Sequence, residues 1–518
     1  MPGPSSVVVA VTLGLTAAAV GHALRFGADL PVWDEWDLIP ELLQTPPAEW
    51  LLRRHNEHRF VPARAVYLGV FHAAGGDLRA GQVVSALLHG VAAGGFAVAA
   101  ARLRGRASFG DVLLPALVLH WGHAFNWLMA YQIAFGLFLL AVAWLAWLLP
   151  GRRGGPVLLA VGLIGLGGGM GVACLPPLAV WLLVRGGPRW VPAVGLPLIA
   201  GYVGWTLIGV PPSGDTNRAT GWAVPGAVCQ YLATGVGLGD DHTGRGERVG
   251  VGLAGLLAAA VGVLLWKARR ATDRPVAGGL LALVAGVGVM AVGVAARRND
   301  PAAARYAGPA ALGLVLVWLT AARYLPASRW LTAVGVVAAA GLVTLNLDPG
   351  WRAGGLHRME ARDAQAAVGA GLPPRFLADR LGSESGRLAV NLADLRRLGY
   401  RRFAALPPDR PVRADPLADR DAWTTLRWYA AERVTRPVPP PAGRVVGLRA
   451  EVEWDEPPPW FHLRLRWAGG ESVVRPPRLP GRHVVWFWVG GAAADAVLEP
   501  VGPTFGVRVR ATDWLAEP

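Results

Sequence analysis

The sequence predicts a polytopic all-α membrane domain followed by an extracytoplasmic α+β region that ends in a small β-sandwich. Three observations carry that prediction. Apolar windows of roughly 17–25 residues, the length that crosses a bilayer, recur from Val7 to Leu345. Only 16% of the 518 residues are charged and 53% are hydrophobic, whereas a soluble protein carries about 25% charge. Past residue 440 the pattern switches to strand-like alternation, as in His462, Arg464 and Arg466 against Phe461, Leu463 and Leu465.

Taken in order, the expected crossings are 5–25, 79–101, 109–124, 127–149, 155–169, 171–185, 190–209, 249–266, 276–295, 303–322 and 329–346, about eleven. Residues 5–25 read as a retained span because they lack a basic leader and a convincing cleavage site. The stretch 155–185 reads equally as a broken helix pair. Basic residues fall in five short loops: Arg102, Arg104 and Arg106; Arg152 and Arg153; Arg185 and Arg189; Lys267, Arg269, Arg270 and Arg274; Arg323 and Arg329. With the N-terminus in the cytoplasm, all five loops face the cytoplasm, as positive-inside topology requires.

The first loop (26–78), the 210–248 loop and the C-terminal region then lie outside. Residues 60–76 are apolar enough to suggest a crossing. That crossing would turn the Arg102–Arg106 loop outward, so the segment is read as an interfacial helix carrying Arg64, Tyr67 and His72. The expected organisation is a membrane domain over 1–346, a mixed linker and helical region over 347–440, and a β-sandwich-like domain over 441–518. Strands are expected in 444–454, 460–467, 482–490 and 505–514.

The net charge of +15 does not indicate nucleic-acid binding. It is almost entirely arginine, with Lys267 the sole lysine, and much of it lies in the topology-setting loops. Cys174 and Cys229 support neither a disulfide framework nor a cysteine metal site. The glycine run 165–171 lacks the Lys-Ser/Thr and the strand context of a phosphate loop.

Four groups can carry chemistry. The first is Trp33-Asp34-Glu35-Trp36-Asp37, in the outer loop. A partly buried carboxylate there can act as a general base, and the cluster also allows a divalent cation, so metal dependence is open. The plain alternative is a solvated acidic loop with an aromatic anchor. The second is His55-Asn56-Glu57-His58-Arg59, donor-rich and suited to a phosphate; a polar helix cap is its alternative. The third is Arg305-Tyr306, with Arg297, Arg298 and Asp300 before it. Arginines on the outer face suit an anion such as a lipid phosphate, or snorkel at a helix end. The fourth comprises His89, His120, His123, Asn126, Tyr131 and Gln132, polar groups at membrane depth that are functional or simply bond helices together.

In order along 1–346, this set resembles the membrane-integral GT-C-fold glycosyltransferases, such as protein O-mannosyltransferases and aminoarabinose transferases. One span precedes an outer loop with an acidic motif (33–37). A polar motif (55–59) precedes an interfacial helix, a second span ends in arginines (102–106), and an Arg-Tyr pair (305–306) opens a late span. The resemblance implies Asp34 as catalytic base with Glu35 as the neighbouring acid. It implies donor-phosphate binding by His58 and Arg59, with Arg305 and its neighbour Tyr306 as a second contact. Asp37, His55, Glu57 and His123 are further candidates.

It also implies a polyprenyl-phosphate sugar donor, a glycan, lipid or protein acceptor, surrounding membrane lipids, and residence in a bacterial cytoplasmic membrane. The basic-Pro-Pro element of some relatives is absent, since Phe60-Val61-Pro62 follows Arg59. Two other classes stay open. A transporter or flippase predicts charge near the midplane, and a non-catalytic scaffold tolerates loss of Asp34.

Overall fold

A computed structural model describes residues 3–55, 59–151, 153–208, 223–238, 245–297, 303–369, 385–401 and 403, with strand segments between 413 and 516. The chain divides into two compact units. One comprises Met1–Gly27 and Leu51–Gly354; the other comprises Ala28–Trp50 and Gly355–Pro518.

The first unit is helical. Among the described residues, seven helices are long and apolar enough to cross a membrane: Pro4–Phe26, Leu78–Arg104, Ala130–Leu148, Arg245–Ala268, Arg274–Ala296, Ala304–Tyr324 and Arg329–Gly369. Seven of the expected eleven crossings correspond to these helices. Gly154–Gly165 and Gly169–Val184 are shorter than the roughly 20 residues a straight crossing needs. They form the broken pair anticipated over 155–185, and Gly168 takes a positive φ of 76° at the break. Residues 190–209 form the helix Trp190–Leu207, outside the seven.

Residues 109–124 form no single helix. A 3₁₀ turn (Phe109–Val112) leads to a short helix (Leu113–Leu119), and a second turn (Trp121–His123) follows. The break has a local cause. His120 is extended, and its ring Nδ1 accepts from the Gly122 N–H at 3.1 Å, which replaces a helical bond. The segment expected at the interface forms the helix Val61–Ala73.

Packing ranks these helices. Leu78–Arg104, Ala130–Leu148 and Ala304–Tyr324 bury more than half of their apolar windows, whereas Pro4–Phe26, Arg245–Ala268 and Arg329–Gly369 bury under a quarter. The latter present Leu13, Leu24, Val251, Leu256 and Val337 outward, as lipid-facing helices do. Small residues permit close approach. A Cβ on Gly90 would lie 2.4 Å from Thr16, where the first and second spans meet. The second span is well delimited: Asp77 accepts from the Arg79 N–H at its start, and Gly105 ends it in the left-handed region at φ 87°.

In the second unit, the 28–50 segment carries the helix Glu35–Gln44, against which the helix Ser385–Arg397 packs. The expected boundary at 346 falls inside the helix Arg329–Gly369, which runs on into this unit. Among the described residues, ten strands form two antiparallel sheets. They are β1 (Arg413–Pro416), β2 (Thr424–Tyr429), β3 (Glu432–Arg433), β4 (Arg436–Pro437), β5 (Val445–Trp454), β6 (His462–Trp467), β7 (Gly470–Val474), β8 (Gly481–Gly491), β9 (Val497–Val501) and β10 (Thr504–Ala516). One sheet runs β3-β2-β10-β5-β8 with β1 on β10; the other runs β4-β9-β6-β7.

Alternate residues of both sheets share one core, including Leu448, Leu463, Val485, Leu498, Val509 and Trp514. β5, β6, β8 and β10 fall in the four segments where alternation predicts strands. β1 to β4 precede residue 441, so sheet structure begins earlier than the alternation indicates. The strand arginines are paired: Glu451 joins Arg482 and Arg510, and buried Glu499 joins Arg464.

Candidate functional site

The acidic segment lies in the second unit. Asp34 sits at the N-cap of Glu35–Gln44, where the helix dipole favours negative charge. Trp33, just before it, has φ 49°. A bulky side chain in that region stores on the order of 1 kcal/mol or more of strain. Glu35 is fully buried and its Oε2 accepts from the Val32 N–H at 3.0 Å. Asp37 is half-buried, and its Oδ1 accepts from Asn391 Nδ2 at 2.9 Å. Asp34, also half-buried, lies three residues from Asp37 and so shares its helix face. Trp36 is buried edge-on against Phe403, with ring centres 5.8 Å apart.

The polar motif lies in the first unit. Asn56, Glu57 and His58 fall outside the described residues. Arg59 lays its guanidinium 4.0 Å from the Trp205 ring centre and donates to the Leu52 carbonyl, while Tyr202 Oη donates to its backbone carbonyl at 3.2 Å. Arg54 donates to Thr206 O at 3.0 Å and to Ile208 O, capping the C-terminal end of Trp190–Leu207. Partial burial is the largest influence lowering the Arg59 pKa. Arg54 lowers it next, Tyr202 acts the other way, and Arg64 lowers it further. Arg54 and Arg64 are therefore both near enough to act on Arg59. His55 is buried edge-on against Tyr131 at 5.6 Å, and Phe60 and Tyr67 meet the same ring at 5.7 and 5.8 Å.

Arg305 and Tyr306 occupy a 3₁₀ turn, Ala304–Tyr306, that packs on the turn Trp121–His123 and on the short helix Ala124–Leu128. Tyr306 meets buried Tyr231 at 6.1 Å. Arg298 and Asp300 fall outside the described residues. Beside this turn, His89, His120, His123 and Asn126 are fully buried. The His120 and His123 rings lie 4.5 Å apart, and those of His89 and His123 lie 6.5 Å apart. Arg305 and Tyr306 of the third group thus lie beside His120, His123 and Asn126 of the fourth, whereas Tyr131 packs against His55 of the second.

No protein-family model, curated protein or solved structure matches this chain. The functional reading therefore rests on the residues themselves. Among the described residues, no group of three or more His, Cys, Asp or Glu side chains is arranged to hold a metal ion. The arginine group can hold an anion, and the acidic segment presents carboxylates on a strained turn. Sequence reading missed Arg54, Tyr202, Trp205, Asn391 and Ser85. Arg54 adjoins the 55–59 motif, so charge density could have included it. The others become relevant only through long-range contacts.

Proposed function

We propose that this chain is a membrane glycosyltransferase that moves a sugar, with inversion, from a polyprenyl-phosphate donor to an acceptor on the outer face. The observation that carries this reading is Arg59, stacked on Trp205 with Arg54 near enough to act on it, in the first unit. Guanidinium groups match phosphate oxygens two at a time.

Asp34 acts as general base. It removes the proton of an acceptor hydroxyl or amine as that atom attacks the sugar C1. The C1–O bond to phosphate breaks, and the polyprenyl phosphate leaves with the electron pair. Arg59, with His58, Arg305 and Tyr306, binds that phosphate as charge develops on it. Glu35 is the neighbouring acid. A divalent cation on the acidic segment is compatible with the scheme.

The topology in this reading keeps the N-terminus cytoplasmic and the C-terminal region extracytoplasmic, with eleven crossings. It requires 109–124 to cross as a broken segment and the 154–184 pair and Trp190–Leu207 to cross as well. One observation favours a second reading, a transporter or flippase of a lipid-linked or polar solute: the buried histidine group near Arg305.

Binding tests the first reading. Polyprenyl phosphate is titrated onto the purified full chain in nanodiscs, with the non-phosphorylated polyprenol as control. Phosphate-dependent binding that weakens about tenfold in Arg59→Ala supports it, about 1.4 kcal/mol for one charge-assisted contact. Equal binding of alcohol and phosphate contradicts it.

A further inference from the structure

Within the first unit, three imidazoles have their tautomers fixed by carbonyl partners. His89 Nδ1 meets the Ser85 carbonyl at 2.8 Å, His120 Nε2 meets the Gly235 carbonyl at 3.1 Å, and His123 Nε2 meets the Leu117 carbonyl at 2.8 Å. A carbonyl only accepts, so each of those nitrogens carries the hydrogen. His120 is then satisfied, because its Nδ1 accepts from the Gly122 N–H. His89 Nε2 and His123 Nδ1 are left as bare acceptors with no partner, and both side-chain atoms of Asn126 also lack one. All three residues are fully buried. Ser85 Oγ donates to the Asn126 carbonyl at 2.8 Å, which fixes the backbone from which this amide projects.

Gly308 borders the group. A Cβ built there would lie 3.6 Å from Asn126 Nδ2 and 3.7 Å from His89 Nε2, so both atoms face the small space that the glycine leaves. Three acceptors, counting the amide oxygen, and one amide NH2 define the chemistry of what fills the site. It must both donate and accept hydrogen bonds, and it must be small and neutral. Water meets each condition. We propose that His89, His123 and Asn126 form an internal hydration site in the membrane unit, holding one or two water molecules against Gly308. The site is independent of the glycosyltransferase reading and places solvent beside the Arg305–Tyr306 turn.

Hydroxyl-radical labelling by X-ray pulses in ¹⁸O-water tests this. The full chain is held in nanodiscs, and the wild type is compared with Gly308→Ala. The alanine methyl makes only ordinary contacts in the dry structure but takes the place of the water. The expected result is labelling of His89 and His123 several-fold faster than of the equally buried Trp181, with that excess lost in Gly308→Ala. A fall in thermal midpoint should accompany the loss. Labelling of the two histidines no faster than Trp181, or an excess that Gly308→Ala leaves intact, overturns the proposal.

Discussion

Arg59 holds its guanidinium 4.0 Å from the centre of the Trp205 indole, with Tyr202 bonded to its backbone carbonyl. The stacking fixes the plane of the guanidinium, one of whose nitrogens donates to the Leu52 carbonyl. A cation–π contact of this kind contributes ~0.5–2 kcal/mol. Trp205→Ala should therefore weaken binding of polyprenyl phosphate by roughly 2–30-fold and leave thermal stability nearly unchanged, since Trp205 is partly exposed. Titration and thermal unfolding on the same preparation check this.

Arg104 and Asp111 form a second, purely structural relationship. Both guanidinium nitrogens reach the carboxylate, at 2.7 and 2.9 Å, and the Ser108 N–H and Trp318 Nε1 fill its remaining positions. Asp111 is almost fully buried. Asp111→Ala leaves a buried, unpaired arginine and should cost about 3–5 kcal/mol. Arg104→Met with Asp111→Leu should cost much less than the two single changes combined. Thermal unfolding of the four proteins gives the comparison.

Gly250 faces the Cys229 carbonyl so closely that a Cβ would lie 2.0 Å from it. Backbone cannot yield as a side-chain tip can. Gly250→Ala should push the helices Ala223–Thr234 and Arg245–Ala268 apart and lower folded yield, whereas Gly252→Ala, with open space around it, should not. Monodisperse yield after size-exclusion chromatography distinguishes them.

Asn391 donates to Asp37 and helps hold the helix that begins at Asp34. Asn391→Ala should remove about 1.5–3 kcal/mol, the value of a bond to a charged partner, or less where water replaces the amide. Amide hydrogen exchange across Glu35–Gln44 should rise, and exchange in the β5–β10 ladder should not.

Much of the fold was legible because hydrophobicity and periodicity are local properties. The long apolar helices and strands β5, β6, β8 and β10 follow from composition and alternation. The break at His120 was not legible, because it depends on a histidine ring replacing a backbone bond. β1, β3 and β4 were hidden by their brevity, at four, two and two residues. The arginines of 102–106 read as topology signals, yet Arg104 is also half of a buried pair and Arg102 stacks on Trp147 at 4.1 Å. Of the candidate site, the residue types were visible. The partners that orient them, Asn391 for Asp37 and Trp205 for Arg59, lie 354 and 146 positions away in the chain.

The most direct test is sugar transfer from an extract of polyprenyl-phosphate sugars by purified wild type and Asp34→Asn, matched for folding and abundance. The account predicts transfer by wild type and a loss of roughly 10²–10⁴-fold in the variant, the contribution of a general base. Equal transfer by both proteins would contradict Asp34 as the base. No transfer by wild type with any donor would contradict the glycosyltransferase reading as a whole.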